Sequence, residues 1–222
     1  MIAIIFDIAF IILKNNKKQE QDNAGNITDS NQNLVKVELE DLNLCKYFAT
    51  KFQTDCKNEE YIYVELTQEQ IDSVTIIDQD NEAYPVNYLL LDAQSLKELE
   101  NFKNLTGLGR WVSKSDLTPL ANLTNLESLY LRGENISNID ALSNLSSLEI
   151  LSLNYTKVSN LNALSNLKKL KSLSIGDTNV KDVSPLSSLS NLEYLLIYGT
   201  KVSDLTPLDN ITDLTIDTTG GM

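Results

Sequence analysis

The side chains of this sequence that are best suited to binding chemistry recur at intervals of 22 residues. If alternate residues of a short strand face solvent, they form three rows across neighbouring strands. The rows are Ser128, Ile150, Ser172 and Tyr194; Tyr130, Ser152, Ser174 and Leu196; and Arg132, Asn154, Gly176 and Tyr198. Exposed tyrosine and arginine dominate the energetics of protein interfaces. The pattern therefore favours binding of a partner.

The residues predicted to bind cluster at the two ends of these rows: Arg110, Tyr130 and Arg132 on the first strands, and Tyr194, Leu196 and Tyr198 on the last. Small residues between them (Ser172, Ser174 and Gly176) are predicted to form a dip. The predicted partner-binding residues are Arg110, Tyr130, Arg132, Ile150, Ser152, Asn154, Ser174, Tyr194, Leu196 and Tyr198. The alternative for Tyr194 and Tyr198 is that they cover the end of the repeats. For Trp111, packing into an irregular early turn is the favoured interpretation.

Residues for catalysis or metal binding are scarce. The chain has no histidine, which removes the commonest general base and the commonest metal ligand. The acidic stretch at 78–82 begins like a calcium loop, but Ala83 and Leu89 stand where such a loop needs glycine and an acidic residue. We expect no enzyme activity, no cofactor and no metal.

Aliphatic residues that recur with the same 22-residue spacing predict the strands and turns that position these side chains. The first column contains only leucine: Leu120, Leu142, Leu164, Leu186 and Leu208. Each unit reads L-x-x-L-x-x-L-x-x-L-x-L, in which the final L-x-L step predicts a short strand. The preceding period of three predicts 3₁₀-like turns. One unit buries too little surface to fold alone, so the units must stack.

The segments "LSNLEYLLIYGTKVSDLTPL" and "LTNLESLYLRGENISNIDAL" resemble the repeats of internalins, a family of bacterial surface proteins with leucine-rich repeats. The resemblance covers about residues 34–217 and implies an α/β leucine-rich-repeat solenoid. Its right-handed coil would carry parallel strands on the concave face, 3₁₀ or irregular turns on the convex face, and a helical N-terminal cap. Cytosolic phosphatase-regulating proteins share the same period.

The chain divides into five predicted segments. Residues 1–13 are apolar apart from Asp7 and are expected to be the remnant of an export signal or anchor. Residues 14–33 form a polar tether, 34–70 the helical cap, 71–217 the repeats (regular from 120), and 218–222 a tail. Within the repeats, "LTQEQIDSVTII" is expected to supply the first strand through Ile71, Val74 and Ile76.

Two polar features of the chain lead to further expectations. Cys45 and Cys56 lie in the cap and are expected to be free thiols, with a disulfide as the alternative outside the cell.

The column Glu134, Thr156, Thr178 and Thr200 occupies a position where many leucine-rich repeats carry asparagine. Its threonines are expected to form a hydrogen-bond ladder to the next turn.

Composition limits the choice of partners. The net charge of −13 argues against nucleic acid, which requires a basic surface, and is compatible with a basic protein partner. We expect a monomer that contacts a membrane only through its N-terminal segment. The predicted function is adhesin-like protein binding, extracellular or at a bacterial cell surface. The alternatives are a cytoplasmic regulatory scaffold and a carbohydrate-binding surface.

Overall fold

The computed structural model describes residues 33–39, 42–58, 62–78, 96–111 and 116–219. The predicted signal remnant at 1–13, the tether through residue 32, the acidic stretch from 79 to 82 and the last three residues lie outside this part. Within the described residues, no helix is long and apolar enough to cross a membrane.

A small mixed unit precedes the repeats. Strands β1 (Leu34–Glu38), β2 (Cys56–Asn58) and β3 (Ile62–Thr67) form an antiparallel sheet in the order β1-β3-β2. Helix α1 (Leu42–Phe52) lies in the same segment, and its Cys45 and Phe48 are fully buried. The segment predicted as a helical cap therefore contains one helix and a three-stranded sheet.

The two cysteines of this unit form a disulfide, so the expectation of free thiols was wrong. Cys45 lies on α1 and Cys56 begins β2, and their Cα atoms are 5.5 Å apart. The chain reverses between the helix and the strand, which brings the two thiols together.

A short helix stands where the first strand of the repeats was predicted to begin. Helix α2 (Gln68–Asp72) starts with a capping box: the Gln70 amide donates to the Thr67 hydroxyl at 3.1 Å, and the Thr67 amide donates to the Gln70 side chain at 2.8 Å. Ile71 is thus helical, and strand β4 covers only Ile76–Asp78. In its pairing with β5, Ile77 rather than Ile76 aligns with the core position Leu108.

Seven parallel strands form the second sheet, in the order of the chain from β4 to β10. After β4 they are β5 (Gly107–Trp111), β6 (Ser128–Arg132), β7 (Ile150–Ser152), β8 (Ser172–Ser174), β9 (Tyr194–Leu196) and β10 (Thr215–Asp217). The 3₁₀ helices between them are Lys97–Asn101, Thr118–Asn122, Asp140–Asn144, Asn162–Leu164, Ser184–Leu186 and Thr206–Leu208. This is the predicted leucine-rich-repeat solenoid.

The aliphatic columns form one continuous core. Leu120, Leu142, Leu164 and Leu186 are fully buried, and Leu208 is 3% exposed. Backbone bonds such as Leu123 N to Leu120 O (3.0 Å) and Leu126 N to Leu123 O (3.0 Å) give the chain its period of three. Each leucine column therefore packs on its counterparts in the neighbouring turns.

The threonine column does not form the expected ladder between turns. The hydroxyls of Thr156, Thr178 and Thr200 each donate to the carbonyl three residues earlier in their own turn, at 2.7 Å. The ladder between turns is made by asparagines instead: the Asn125 and Asn191 side chains donate to the carbonyls of Lys103 and Lys168 in the preceding turn, at 3.1 and 2.7 Å. A hydroxyl on a short β-branched side chain reaches its own turn more readily than the next.

Candidate functional site

Alternation along the strands separates core residues from a solvent-facing surface. In β6, Leu129 and Leu131 are buried, Ser128 and Tyr130 are half-buried, and Arg132 is exposed. We call the outward residues of β6 to β9, with the residues that directly follow them, the strand face. Its members are Ser128, Tyr130, Arg132, Ile150, Ser152, Asn154, Ser172, Ser174, Gly176, Tyr194, Leu196 and Tyr198.

Strand pairing aligns these residues in rows. Ser128, Ile150, Ser172 and Tyr194 are successive partners across the sheet, and Thr215 continues the row. Tyr130, Ser152, Ser174 and Leu196 form the next row, which Asp217 continues. The parallel sheet thus brings together residues that are more than 60 positions apart in the sequence.

Tyr194 is held by a carboxylate on the last strand. Its hydroxyl donates to Asp217 Oδ2 at 2.9 Å, and burial together with this aspartate raises the pKa of the phenol. The backbone amide and the hydroxyl of Thr219 donate to Asp217 Oδ1 at 2.8 and 2.9 Å. Three donors therefore fix the position of the Asp217 carboxylate.

The dip expected at the small residues is partly filled. Gly176 is buried, and its amide donates to Asn154 Oδ1 at 2.6 Å. A Cβ added to Gly176 would lie 3.2 Å from that oxygen and 3.3 Å from Tyr198 Cδ1. Asn154 and Tyr198 therefore cover the glycine, while Ser172 and Ser174 stay half-buried on β8.

Tyr155 is a further member of the strand face, although it was not among the residues predicted to bind. It is 45% exposed, and the Arg132 guanidinium lies 4.0 Å from the centroid of its ring. The backbone at Tyr155 is left-handed, with φ of 61°, which breaks the strand alternation. A signal existed in the sequence: the same position carries Asp177 and Gly199 in the next two turns, both left-handed here, and these residue types favour that conformation.

Tyr198 is the other exposed ring of this edge, at 38%. The negative charge of Asp177 and a hydrogen bond to its side chain raise the pKa of the Tyr198 phenol, and Tyr155 adds to the shift. Arg132, Tyr155, Asp177 and Tyr198 thus form a group along the carboxyl ends of the strands.

For Arg110 and Trp111, which were predicted to lie near Tyr130 and Arg132 at the first strands, the structure describes only the backbone. Arg110 pairs with Leu131, which is a core position, and Trp111 pairs with Arg132. The side chains of Arg110 and Trp111 lie outside the described part, so their proposed roles stay predictions. Tyr130 lies on β6 and is half-buried.

The described ranges contain no ligand set for a metal ion. No group of three or more histidine, cysteine, aspartate or glutamate side chains there could hold a metal ion. The strand face offers aromatic rings, hydroxyl groups, an amide and one guanidinium, and the carboxylates of Asp177 and Asp217 lie beside its last strands.

Comparison with known proteins identifies the repeat class. The family described as Leucine Rich repeats (2 copies) matches residues 168–215. No curated protein sequence matches the chain significantly.

Solved structures give the same architecture. An internalin (inlF) from Listeria monocytogenes is 30% identical with a TM-score of 0.65, and the match covers 81% of this chain and 49% of that one. This chain thus spans about half the length of that internalin. Internalin C2 of the same organism is 24% identical (TM-score 0.53; 82% and 95% covered), and a Leptospira interrogans leucine-rich-repeat protein is 23% identical (TM-score 0.50; 55% and 33% covered). These last two show the fold alone.

Proposed function

Because the chain is an internalin-like leucine-rich-repeat protein, we propose that its strand face binds another protein at a bacterial surface or after secretion. Leucine-rich repeats typically mediate interactions between proteins. The observation that carries the proposal is the exposed group of Arg132, Tyr155 and Tyr198 on a sheet whose next layer is a fully packed core.

The chemistry of this group suits a protein partner. Tyrosine and arginine are the residue types enriched among interface hot spots. Half-buried Ile150 and Leu196 add apolar surface between half-buried serines. The side chains stand on hydrogen-bonded strands, so little conformational entropy is lost when a partner docks. We propose binding rather than catalysis, since a chain without histidine lacks the usual general base.

The disulfide supports a location outside the cytoplasm. Disulfides form and persist in oxidising compartments and are rare where glutathione keeps thiols reduced. The Cys45–Cys56 pair therefore favours the surface role over the cytosolic scaffold.

Selection from a library of displayed protein fragments tests the proposal, followed by measurement of the affinity of each selected binder. Changing Tyr155 and Tyr198 to serine together should weaken binding by about 30-fold or more, because hot-spot truncations typically reach that size. The thermal unfolding of the double variant should stay close to that of the wild type, since both rings lie at the surface, 45% and 38% exposed, and neither belongs to the buried leucine core.

Leu34→Ser is the matched control, because Leu34 is an exposed apolar residue (56%) on β1, away from the strand face. Binders that lose affinity with the tyrosine variant and keep it with Leu34→Ser support the proposal. Binders that are equally tight for both variants would overturn it.

A further inference from the structure

Resting on this proposed function, we infer that Tyr155 is the specificity-determining residue of the strand face. Its phenol ring enters a pocket on the protein partner and fixes the turn of the solenoid at which that partner docks. The ring stands where the backbone favours glycine, asparagine or aspartate, so binding and stability should respond differently when it is replaced.

The backbone at Tyr155 has a conformation that a bulky side chain disfavours. Its φ of 61° lies in the left-handed region, where the Cβ atom comes too close to the following carbonyl oxygen. The residues one and two repeats later, Asp177 and Gly199, share the left-handed backbone with φ of 54° and 68°. Glycine and aspartate adopt it more readily than tyrosine. The left-handed turn therefore recurs with the repeat, and tyrosine is the exception in it.

The packing of this turn comes from other side chains. Leu153 and Val158 are fully buried and Thr156 is 1% exposed, whereas Tyr155, which lies among them in the sequence, is 45% exposed. The Arg132 guanidinium lies 4.0 Å from the ring centroid, a contact that orients the ring but contributes little stability at an exposed site. A bulky residue that strains the backbone without filling the core points to a role at the surface, because strained conformations concentrate at functional sites.

Tyr155 also interrupts the repetition of the surface. The same position carries Gly133 one repeat earlier and Asp177 and Gly199 in the next two, so a ring occurs in one of these four turns. Serines, in contrast, recur on neighbouring strands, as on β7 and β8. A partner that recognised only recurring groups would fit at more than one strand, in positions about 4.8 Å apart. The ring removes this ambiguity for a folded protein that has an apolar pocket and a hydrogen-bond acceptor for the phenol.

A series of substitutions at Tyr155 in the full chain tests the inference with the binders selected from the displayed library. Tyr155→Gly and Tyr155→Ala remove the same ring, but only glycine accepts the left-handed backbone without strain. Both should weaken binding by about tenfold or more, because a hot-spot ring is lost. Tyr155→Phe keeps the ring and should weaken binding by about fivefold or less, the size of one neutral hydrogen bond.

Melting temperatures of the same variants separate the ring from the backbone. The glycine variant should melt about 2–4 °C above the alanine variant, since alanine retains the strain. It should also melt within about 2 °C of the wild type, as expected for a surface side chain.

Asp213 provides the matched control, because it is exposed and left-handed, with φ of 62°, and precedes β10 outside the strand face. Asp213→Gly should melt above Asp213→Ala for the same backbone reason. Both variants should bind like the wild type, which shows that relief or retention of strain does not itself change affinity.

Any of four results would overturn the inference: affinity retained in Tyr155→Gly, a loss in Tyr155→Phe as large as in glycine, a glycine variant no more stable than alanine, or a glycine variant that melts far below the wild type. Affinity retained in Tyr155→Gly but lost in Tyr198→Ser rejects the inference and leaves the strand face as the binding surface. Affinity retained in both variants and in the double serine variant rejects the proposed function as well.

Discussion

At the scale of single residues, a polar column precedes the five described 3₁₀ helices from Thr118–Asn122 onward, with the same 22-residue spacing as the leucines. Asp116, Asn138, Asn160, Asp182 and Asp204 each accept the backbone amide two residues later, at 2.7–2.9 Å. Such Asx turns direct the chain into the following helix. Both aspartate and asparagine occur in this column because both carry the required oxygen acceptor.

The aspartates of this column should make stability depend on acid. Hydrogen bonds from the side chain and backbone of Thr118 lower the pKa of Asp116, the backbone and side chain of Ser184 lower that of Asp182, and Thr206 does the same for Asp204. A lowered folded-state pKa contributes stability above the ordinary aspartate pKa of about 3.9, and this contribution is lost as the pH falls through the folded value.

The triple variant with Asp116, Asp182 and Asp204 changed to asparagine should therefore lose less stability than the wild type between pH 5 and pH 2. Asparagine retains the acceptor, as the natural Asn138 and Asn160 show. Urea midpoints measured across that range check the difference. Parallel curves for the two proteins would contradict the assignment.

At the scale of elements, the mixed unit before the repeats closes the first end of the core. Phe48 of α1 stacks on Phe102 of the first described leucine-rich turn, with ring centroids 4.9 Å apart, and both rings are fully buried. This contact joins the antiparallel sheet and helix to the stack. The end of the stack that the unit covers would otherwise expose leucines to water.

The disulfide should stabilise this unit by lowering the conformational entropy of the unfolded chain. Cys45 and Cys56 are 11 residues apart, and closing a loop of that size contributes about 3 kcal/mol in the chain-entropy treatment. We expect reduction to lower the free energy of unfolding by about that amount, as measured by urea unfolding with and without reductant. The variant with both cysteines changed to serine should be insensitive to reductant. A reduced wild type as stable as the oxidised protein would refute the expectation.

At the scale of the whole stack, burial decreases toward the last turn. Leu164 is fully buried between two neighbouring turns, whereas Leu208 is 3% exposed and the later Leu214 and Ile216 are only partly buried. In a linear array each turn gains stability from its neighbours on both sides. Because its aliphatic side chains are less buried, the turn that contains Leu208 is expected to be less stable than the turn that contains Leu164.

Two identical substitutions in one column measure this gradient. Leu164→Ala should lower the free energy of unfolding by about 3–5 kcal/mol, the range for a fully buried leucine, and Leu208→Ala by less, because the partly buried Leu214 and Ile216 can relax toward the space. Urea unfolding of both variants gives the comparison, and hydrogen exchange should show faster opening near residue 208 in the wild type. Equal losses at the two positions would contradict the expected difference in stability between the two turns.

The sequence by itself determined the repeat, the buried columns and the in-and-out alternation of the strands. These features follow from periodicity, because every turn presents the same apolar pattern to a neighbour with the same pattern. Leu129, Leu151, Leu173 and Leu195 are buried for this reason, and the predicted rows from Ser128 to Tyr194 and from Tyr130 to Leu196 align as expected.

Only the tertiary structure decided the contacts that break the period. The left-handed backbone of Tyr155 turns its ring toward Arg132, Asn154 and Tyr198 close over Gly176, and the fold of the first unit joins Cys45 to Cys56. Each of these depends on a backbone conformation, or on side chains from different turns or elements meeting in space. A repeating hydrophobic pattern specifies which residues are buried, but it does not specify which polar and aromatic groups meet at the surface.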